Sequence, residues 1–233
     1  MPRISTKDVH KYKKGTQKKK KTTIKQKKKR TQMLLERTTQ NKKGTPLEIA
    51  IKGVAESLGF KTISNAYIGF KTDKNRQKYI EIDLIILSKK AVIVVESKNY
   101  NCTVRGSLKG LNLNAVYTDS KSYVLYNPLL QNRTHIKYLT EFLNLPSESI
   151  SSLIVFSDNA VLDFSDKEAL KSKEVILNLN NLRDFLSSLM AQDDILTERS
   201  LNSKYTKLEK RTKVSDAIKL KHINDIKSLV SQK

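Results

Sequence analysis

Lys78-Tyr79-Ile80-Glu81-Ile82-Asp83-Leu84-Ile85-Ile86-Leu87 is followed, after Ser88-Lys89-Lys90, by Ala91-Val92-Ile93-Val94-Val95-Glu96-Ser97-Lys98-Asn99-Tyr100, and this stretch decides how the chain is read. Both runs have the length and β-branched content of strands, and Lys89-Lys90 suits a tight turn, so the two pair antiparallel. Residues two apart on a strand point to one face. Glu81 and Asp83 therefore share a face, Glu96 emerges beside Lys98, and carboxylates and an ammonium meet on one sheet surface.

Those groups suit hydrolysis of a phosphodiester. Acidic oxygens hold Mg²⁺ or Mn²⁺, which prefer hard ligands and keep positions open for water and phosphate. Asp83 and Glu96 are the candidate ligands. Lys98 is the candidate for orienting water and stabilising charge in the transition state. The letters alone do not carry this, because a lysine-rich chain also contains Asp119-Ser120-Lys121 and Asp225-Ile226-Lys227. Only Glu96-Ser97-Lys98 ends an apolar strand preceded by an acidic one; the other two read as solvated surface charges.

Glu48 before a helical run, Glu81-Ile82-Asp83, Val94 through Tyr100, and Asn127-Pro128-Leu129-Leu130-Gln131 occur in the order of the nuclease-related domain (NERD), which the chain resembles from about Gly44 to Asp158. That family belongs to the PD-(D/E)xK nuclease superfamily. The resemblance implies a restriction-endonuclease-like α/β fold, an αβββαβ core with a mixed central sheet, and metal-dependent cleavage of DNA. It implies Asp83 and Glu96 as metal ligands, joined by Glu48 and the backbone carbonyl of Ser97. Lys98 is then the catalytic lysine and Gln131 a polar residue brought to the site by the later helix. Two positions depart from the pattern: Ser97 stands where an apolar residue is usual, and Thr45-Pro46-Leu47 precedes Glu48 where a Gly-Glu pair is commoner. An inactive nuclease fold that binds DNA or RNA is the alternative these departures leave open.

Glu48 also has a local explanation. Thr45 as N-cap, Pro46 at the first helical position and Glu48 three residues after the cap form a capping box. Ile49, Ile51, Val54, Ala55 and Leu58 are expected on the buried side, and Gly59 stops the helix. Along the later helix, Gln131, His135 and Tyr138 fall on one flank, which reaches either a phosphate or solvent.

Net charge is the second signal, +22 over 233 residues with a pI near 9.9. It is concentrated: residues 1–43 hold 17 lysines and arginines against Asp8 and Glu36. Such a segment buries too little apolar surface to offset its ordering entropy, so a disordered basic arm is expected. Its lysines would displace counterions from phosphates, giving sequence-independent affinity for nucleic acid. DNA is the expected partner, and RNA stays open because lysines contact phosphate without reading the sugar. A homodimer would place two sites for cutting both strands.

The remaining composition narrows the class. No apolar run reaches the roughly 18 residues of a membrane span. No apolar h-region follows the basic start, so no secretory signal is read. The lone Cys102 allows no internal disulfide, which fits a reducing cytoplasm, where the basic arm suits a nucleoid-associated location. No Walker-type phosphate loop and no internal repeat is present.

The domain reading is residues 1–43 as the arm, 44–158 as the nuclease core, and 159–233 as a β/α extension ending in an amphipathic helix. Within the core, Leu47 to Leu58 is a helix, Lys61 to Phe70 a strand, then Lys78 to Leu87 and Ala91 to Lys98 the central pair. Cys102 to Arg105 and Tyr123 to Tyr126 read as short edge strands around a polar loop. Pro128 to Leu143 is a helix and Ile150 to Phe156 a buried strand that can pair parallel after the crossover. Beyond Asp158, Ala160 to Phe164 and Val175 to Leu179 read as strands, and Leu182 to Met190 as a helix. Val214 to Val230 reads as a helix docking through Ile218, Ile223, Ile226 and Val230.

Overall fold

The capping box read at Thr45 forms as expected in the computed structural model of the chain, which describes residues 45–119 and 121–230. The basic arm of residues 1–43 lies outside the described residues. Thr45 Oγ1 accepts from the Glu48 amide and Glu48 Oε2 accepts from the Thr45 amide, both at 3.2 Å, and helix α1 runs Pro46–Ser57. Its buried residues are Leu47, Ile51 and Ala55. Ile49, expected inward, is 54% exposed, because it lies two residues from both Leu47 and Ile51 and so nearly opposite them on the helix. The chain turns away at Gly59 with φ 83°, a conformation that favours glycine.

Strands β1 (Lys61–Lys71), β2 (Gln77–Leu87) and β3 (Val92–Lys98) follow. The β2–β3 turn is fixed by Ser88, whose amide donates to Ala91 O and whose hydroxyl accepts from the Lys90 and Ala91 amides. Next come β4 (Thr103–Gly106), β5 (Asn112–Val116), β6 (Ser122–Tyr126), helix α2 (Pro128–Leu143) and β7 (Ile150–Phe156). The chain continues through β8 (Val161–Phe164), β9 (Glu174–Asn178), α3 (Leu182–Leu189), α4 (Glu198–Thr212) and α5 (Asp216–Val230).

The fold is α/β with mixed pairing. The main sheet has the order β1-β2-β3-β7-β9, antiparallel from β1 to β3 and parallel from β3 to β9. Leaving aside the inserted β4 to β6, the first elements run α-β-β-β-α-β, the order the resemblance implies. Alternation along the central strands feeds two cores. Leu84, Ile86, Ile93, Val95 and Leu153 pack under α1 and α3. Ile85, Leu87, Val92 and Val94 pack on the other side under Leu139 and Leu143 of α2 and Leu201 and Leu208 of α4.

Two elements differ from expectation. The polar loop between Arg105 and Tyr123 contains β5, whose Leu113 and Ala115 point inward between exposed Asn112 and Asn114. It completes a second sheet, β6-β5-β4-β8, in which β4 is internal rather than an edge. Residues 198–212 carried no assignment, yet form α4, because Leu201, Tyr205 and Leu208 enter the core from an otherwise charged stretch. Ile226 of α5, expected inward, is 47% exposed. Residues after Asp158 contribute to both sheets: β8 pairs with β4 and β9 with β7.

Helix α2 is pinned at two buried asparagines. Asn127 caps it through Leu129 N at 3.0 Å and donates to Leu108 O and Gly110 O. Asn132 donates to Val94 O at 2.8 Å and Ser152 Oγ at 2.9 Å, fastening the helix to the middle of β3. Asn132→Ala removes both bonds and leaves their acceptors buried, so a loss of about 1–3 kcal/mol is expected in urea unfolding. A midpoint equal to wild type would show that these bonds do not hold the helix.

Candidate active site

The site forms where β2 and β3 part. Their pairing ends at Leu84↔Val95, so Asp83 and Glu96 are the first residues beyond the shared ladder, while Glu96, Ser97 and Lys98 stay paired with β7. Strict alternation breaks at the same place. Ile82 and Ile85, three apart, enter one core while Leu84 enters the other. Opposite Asp83, Asn65 takes a left-handed backbone with φ 55°. The simple picture of Glu81 and Asp83 as an uninterrupted same-face pair is therefore modified: Asp83 sits at the kink that opens the sheet.

Glu96 is 1% exposed. Its Oε1 takes a hydrogen bond from Lys98 Nζ at 2.5 Å. Its Oε2 is buried without a hydrogen-bond partner and lies 3.8 Å from His135 Nδ1. Burial pushes the Glu96 carboxyl up, against the opposing pull of the Lys98 ammonium and the nearby Gln131 amide. Asp83 rises from 3.8 to about 7, first through burial and then through the Glu96 and Glu48 carboxylates. Burial, with Lys98 and His222 adding to it, lowers His135 to about 4, which leaves its imidazole neutral near pH 7.

The start of α1 reaches the same place. Glu48 uses Oε2 for the cap while Oε1 accepts from Ser97 Oγ at 3.5 Å, so its local and site positions coexist. The structure thus brings Glu48, Asp83, Glu96, Ser97, Lys98 and Gln131 to one end of the sheet. Tyr138, farther along the same flank of α2, stacks its ring on Phe70 at 3.8 Å. Tyr100 is fixed through its backbone to Ser157 and packs on the second sheet's core. Asp119 and Lys121 form an exposed ion pair, as their loop context predicts.

Two nearby residues lack any sequence signal, and a third, His135, is marked only by its place on the Gln131 flank of α2. Tyr67 is buried, and its phenol is pushed far above the ordinary value by burial and by hydrogen bonding to Glu81. His222, on α5, donates from Nδ1 to Tyr79 O at 2.8 Å, since a carbonyl only accepts. Its Nε2 stands 3.8 Å from Glu81 Oε2, and its ring meets Tyr67 edge-on. His135 faces Glu96 as described. Their partners lie on other elements, so no local pattern announces these contacts.

Among the described residues no three carboxylate, imidazole or thiol side chains form a ready cage for a metal. The residues nevertheless fit one. Mg²⁺ is commonly held by one or two carboxylates together with water and substrate phosphates. Glu96 Oε2 is a buried acceptor without a hydrogen-bond partner, and burial, then the neighbouring carboxylates, raise Asp83; a divalent cation would offset the cost of both.

Among the described residues no helix is long and apolar enough to cross a membrane. No curated protein matches the chain. Among solved structures, AF1548, a protein of unknown function, is similar at 12% identity over 80% of this chain and 99% of that one, with a TM-score of 0.33. At that level neither fold nor activity carries across. Residues 43–157 match the family model of the nuclease-related domain, the segment that contains Glu48, Asp83, Glu96, Lys98 and Gln131. Residues 43–157 of the chain are thus a nuclease-related domain.

Proposed function

We propose that the chain is a Mg²⁺- or Mn²⁺-dependent nuclease that hydrolyses DNA phosphodiester bonds. One observation carries this reading: a fully buried glutamate gives one oxygen to a lysine and leaves the other unpartnered at the opening between two strands. Asp83 and Glu96 would hold the metal, with Glu48 and the Ser97 carbonyl as further oxygens beside them. The bound ion would lower the pKa of water and offset charge on the phosphoryl oxygens.

The chain's own groups do the rest. Lys98, with its side chain 18% exposed, reaches the opening from the Glu96 carboxylate. There it orients the attacking water and stabilises charge on the phosphoryl oxygens. Gln131 favours the ionised form of Glu96, the form needed by a metal ligand. Glu48 adds negative charge that draws a cation inward.

The basic arm of residues 1–43 supplies non-specific affinity for DNA in the cytoplasm, at the nucleoid, and two copies would place two sites for a double-strand cut. Supercoiled circular, linear and single-stranded DNA, each incubated with Mg²⁺, Mn²⁺ or chelator, test the reading. Nicking of the circle with metal and none with chelator is expected; cleavage that persists in chelator would overturn it. Deleting residues 1–43 should weaken DNA binding and flatten its salt dependence while metal-dependent cleavage remains measurable. An unchanged salt slope would remove the arm from binding.

A further inference from the structure

We propose that His135 is a nitrogen ligand to the cation held at Glu96, and that it makes the site prefer Mn²⁺ to Mg²⁺. The inference rests on the metal-binding half of the reading above and extends it to a residue outside the expected ligand set.

The argument starts from two buried atoms. Glu96 Oε2 and His135 Nδ1 both lack a hydrogen-bond partner, although buried polar groups are normally satisfied and an exception points to something between them, such as an ion. They face each other across 3.8 Å, too long for a hydrogen bond. A water touching both at about 2.8 Å would subtend an acute angle of about 85°, a poor bridge. A cation with bonds of about 2.1 Å fits after the two groups close by less than about 1 Å. A neutral imidazole offers a ring nitrogen lone pair for that role.

His135 is also held for it. The residue is 8% exposed, one turn after Gln131 on the helix that Asn127 caps and Asn132 fastens to Val94. Two strands and a helix therefore converge on one point, with Lys98 on the far oxygen of Glu96 and His135 on the near one. An oxygen-only site suits Mg²⁺, whereas an imidazole shifts preference toward transition ions.

Pulsed EPR of Mn²⁺ bound to the full chain reads the ligand directly, because a coordinated imidazole couples its nitrogen to the ion. The expected result is nitrogen coupling in wild type, retained in His222→Ala and lost in His135→Gln and His135→Asn. Competition between the ions should show Mn²⁺ preferred in wild type, and His135→Gln should reduce that preference about tenfold or more. Circular dichroism of both variants checks that α2 still forms, and the wild-type spectrum tests the proposal without any substitution.

Bound Mn²⁺ without nitrogen coupling in wild type, or with coupling that survives in His135→Gln, overturns the proposal. If Mn²⁺ is displaced by Glu96→Gln in that case, the metal-site reading stands and only His135 is wrong. If Mn²⁺ binding is absent, or indifferent to Glu96→Gln, the metal-site reading fails and the proposal with it.

Discussion

Lys98→Met is expected to slow metal-dependent cleavage of DNA by about 10²–10³-fold, the usual loss when one preorganised charge-stabilising group is removed. The methionine keeps most of the length and volume, so the β3–β7 pairing around Ser97 and Lys98 should survive. DNA affinity, spread over many basic residues, should change little. One side effect follows from the site's electrostatics. Lys98 is the main force opposing the burial of Glu96, and its loss pushes the Glu96 carboxyl higher still. The comparison is cleanest at about pH 8 or above, where more of Glu96 is ionised and free to take metal. Single-turnover cleavage at saturating metal measures the effect, and a rate within a few-fold of wild type would remove Lys98 from the chemistry.

Asp83→Asn is expected to do two opposite things: abolish cleavage and stabilise the metal-free fold. The stability half comes from linkage. Asp83 titrates near 7 in the folded chain against 3.8 ordinarily, so between those values the folded state keeps a proton that the unfolded state has released. Stability therefore falls as pH rises through that window, and the full penalty is present above it. Asparagine carries no charge and removes the penalty. In chelator at about pH 8 the variant should be more stable by on the order of 1–3 kcal/mol, a shift of several degrees in melting temperature. The two proteins should converge below about pH 3, where Asp83 is protonated in the folded and the unfolded chain alike. Added Mn²⁺ should raise the wild type's melting temperature and leave the variant's nearly unchanged. A variant less stable than wild type at about pH 8 in chelator would show that Asp83 is not held in a repulsive, buried place.

Much of this site is legible in the sequence because its residues sit in short patterns. Thr45-Pro46-Leu47-Glu48 states a helix start, and five apolar residues before Glu96-Ser97-Lys98 state a strand that ends in charge. Comparison with Asp119-Ser120-Lys121, which becomes an exposed ion pair, shows that strand context distinguishes the triplets. The kink at Asp83 is not legible, since the left-handed Asn65 opposite it lies on another strand. Nor are the roles of Asn132, His135 and His222, whose partners Val94, Glu96 and Tyr79 lie on distant elements. The same limit hid β5 and α4. Each offers only two or three inward side chains among polar neighbours, and tertiary packing rather than periodicity makes them ordered.

The most direct test compares wild type and Glu96→Gln in Mn²⁺-dependent nicking of supercoiled circular DNA, at protein concentrations giving equal DNA occupancy. Glutamine keeps the shape but removes the charge that both Lys98 and a metal require. Nicking by wild type that stops in chelator, with a loss of about 10³-fold or more in Glu96→Gln, is the predicted result. Equal rates for the two proteins would contradict the account at its centre.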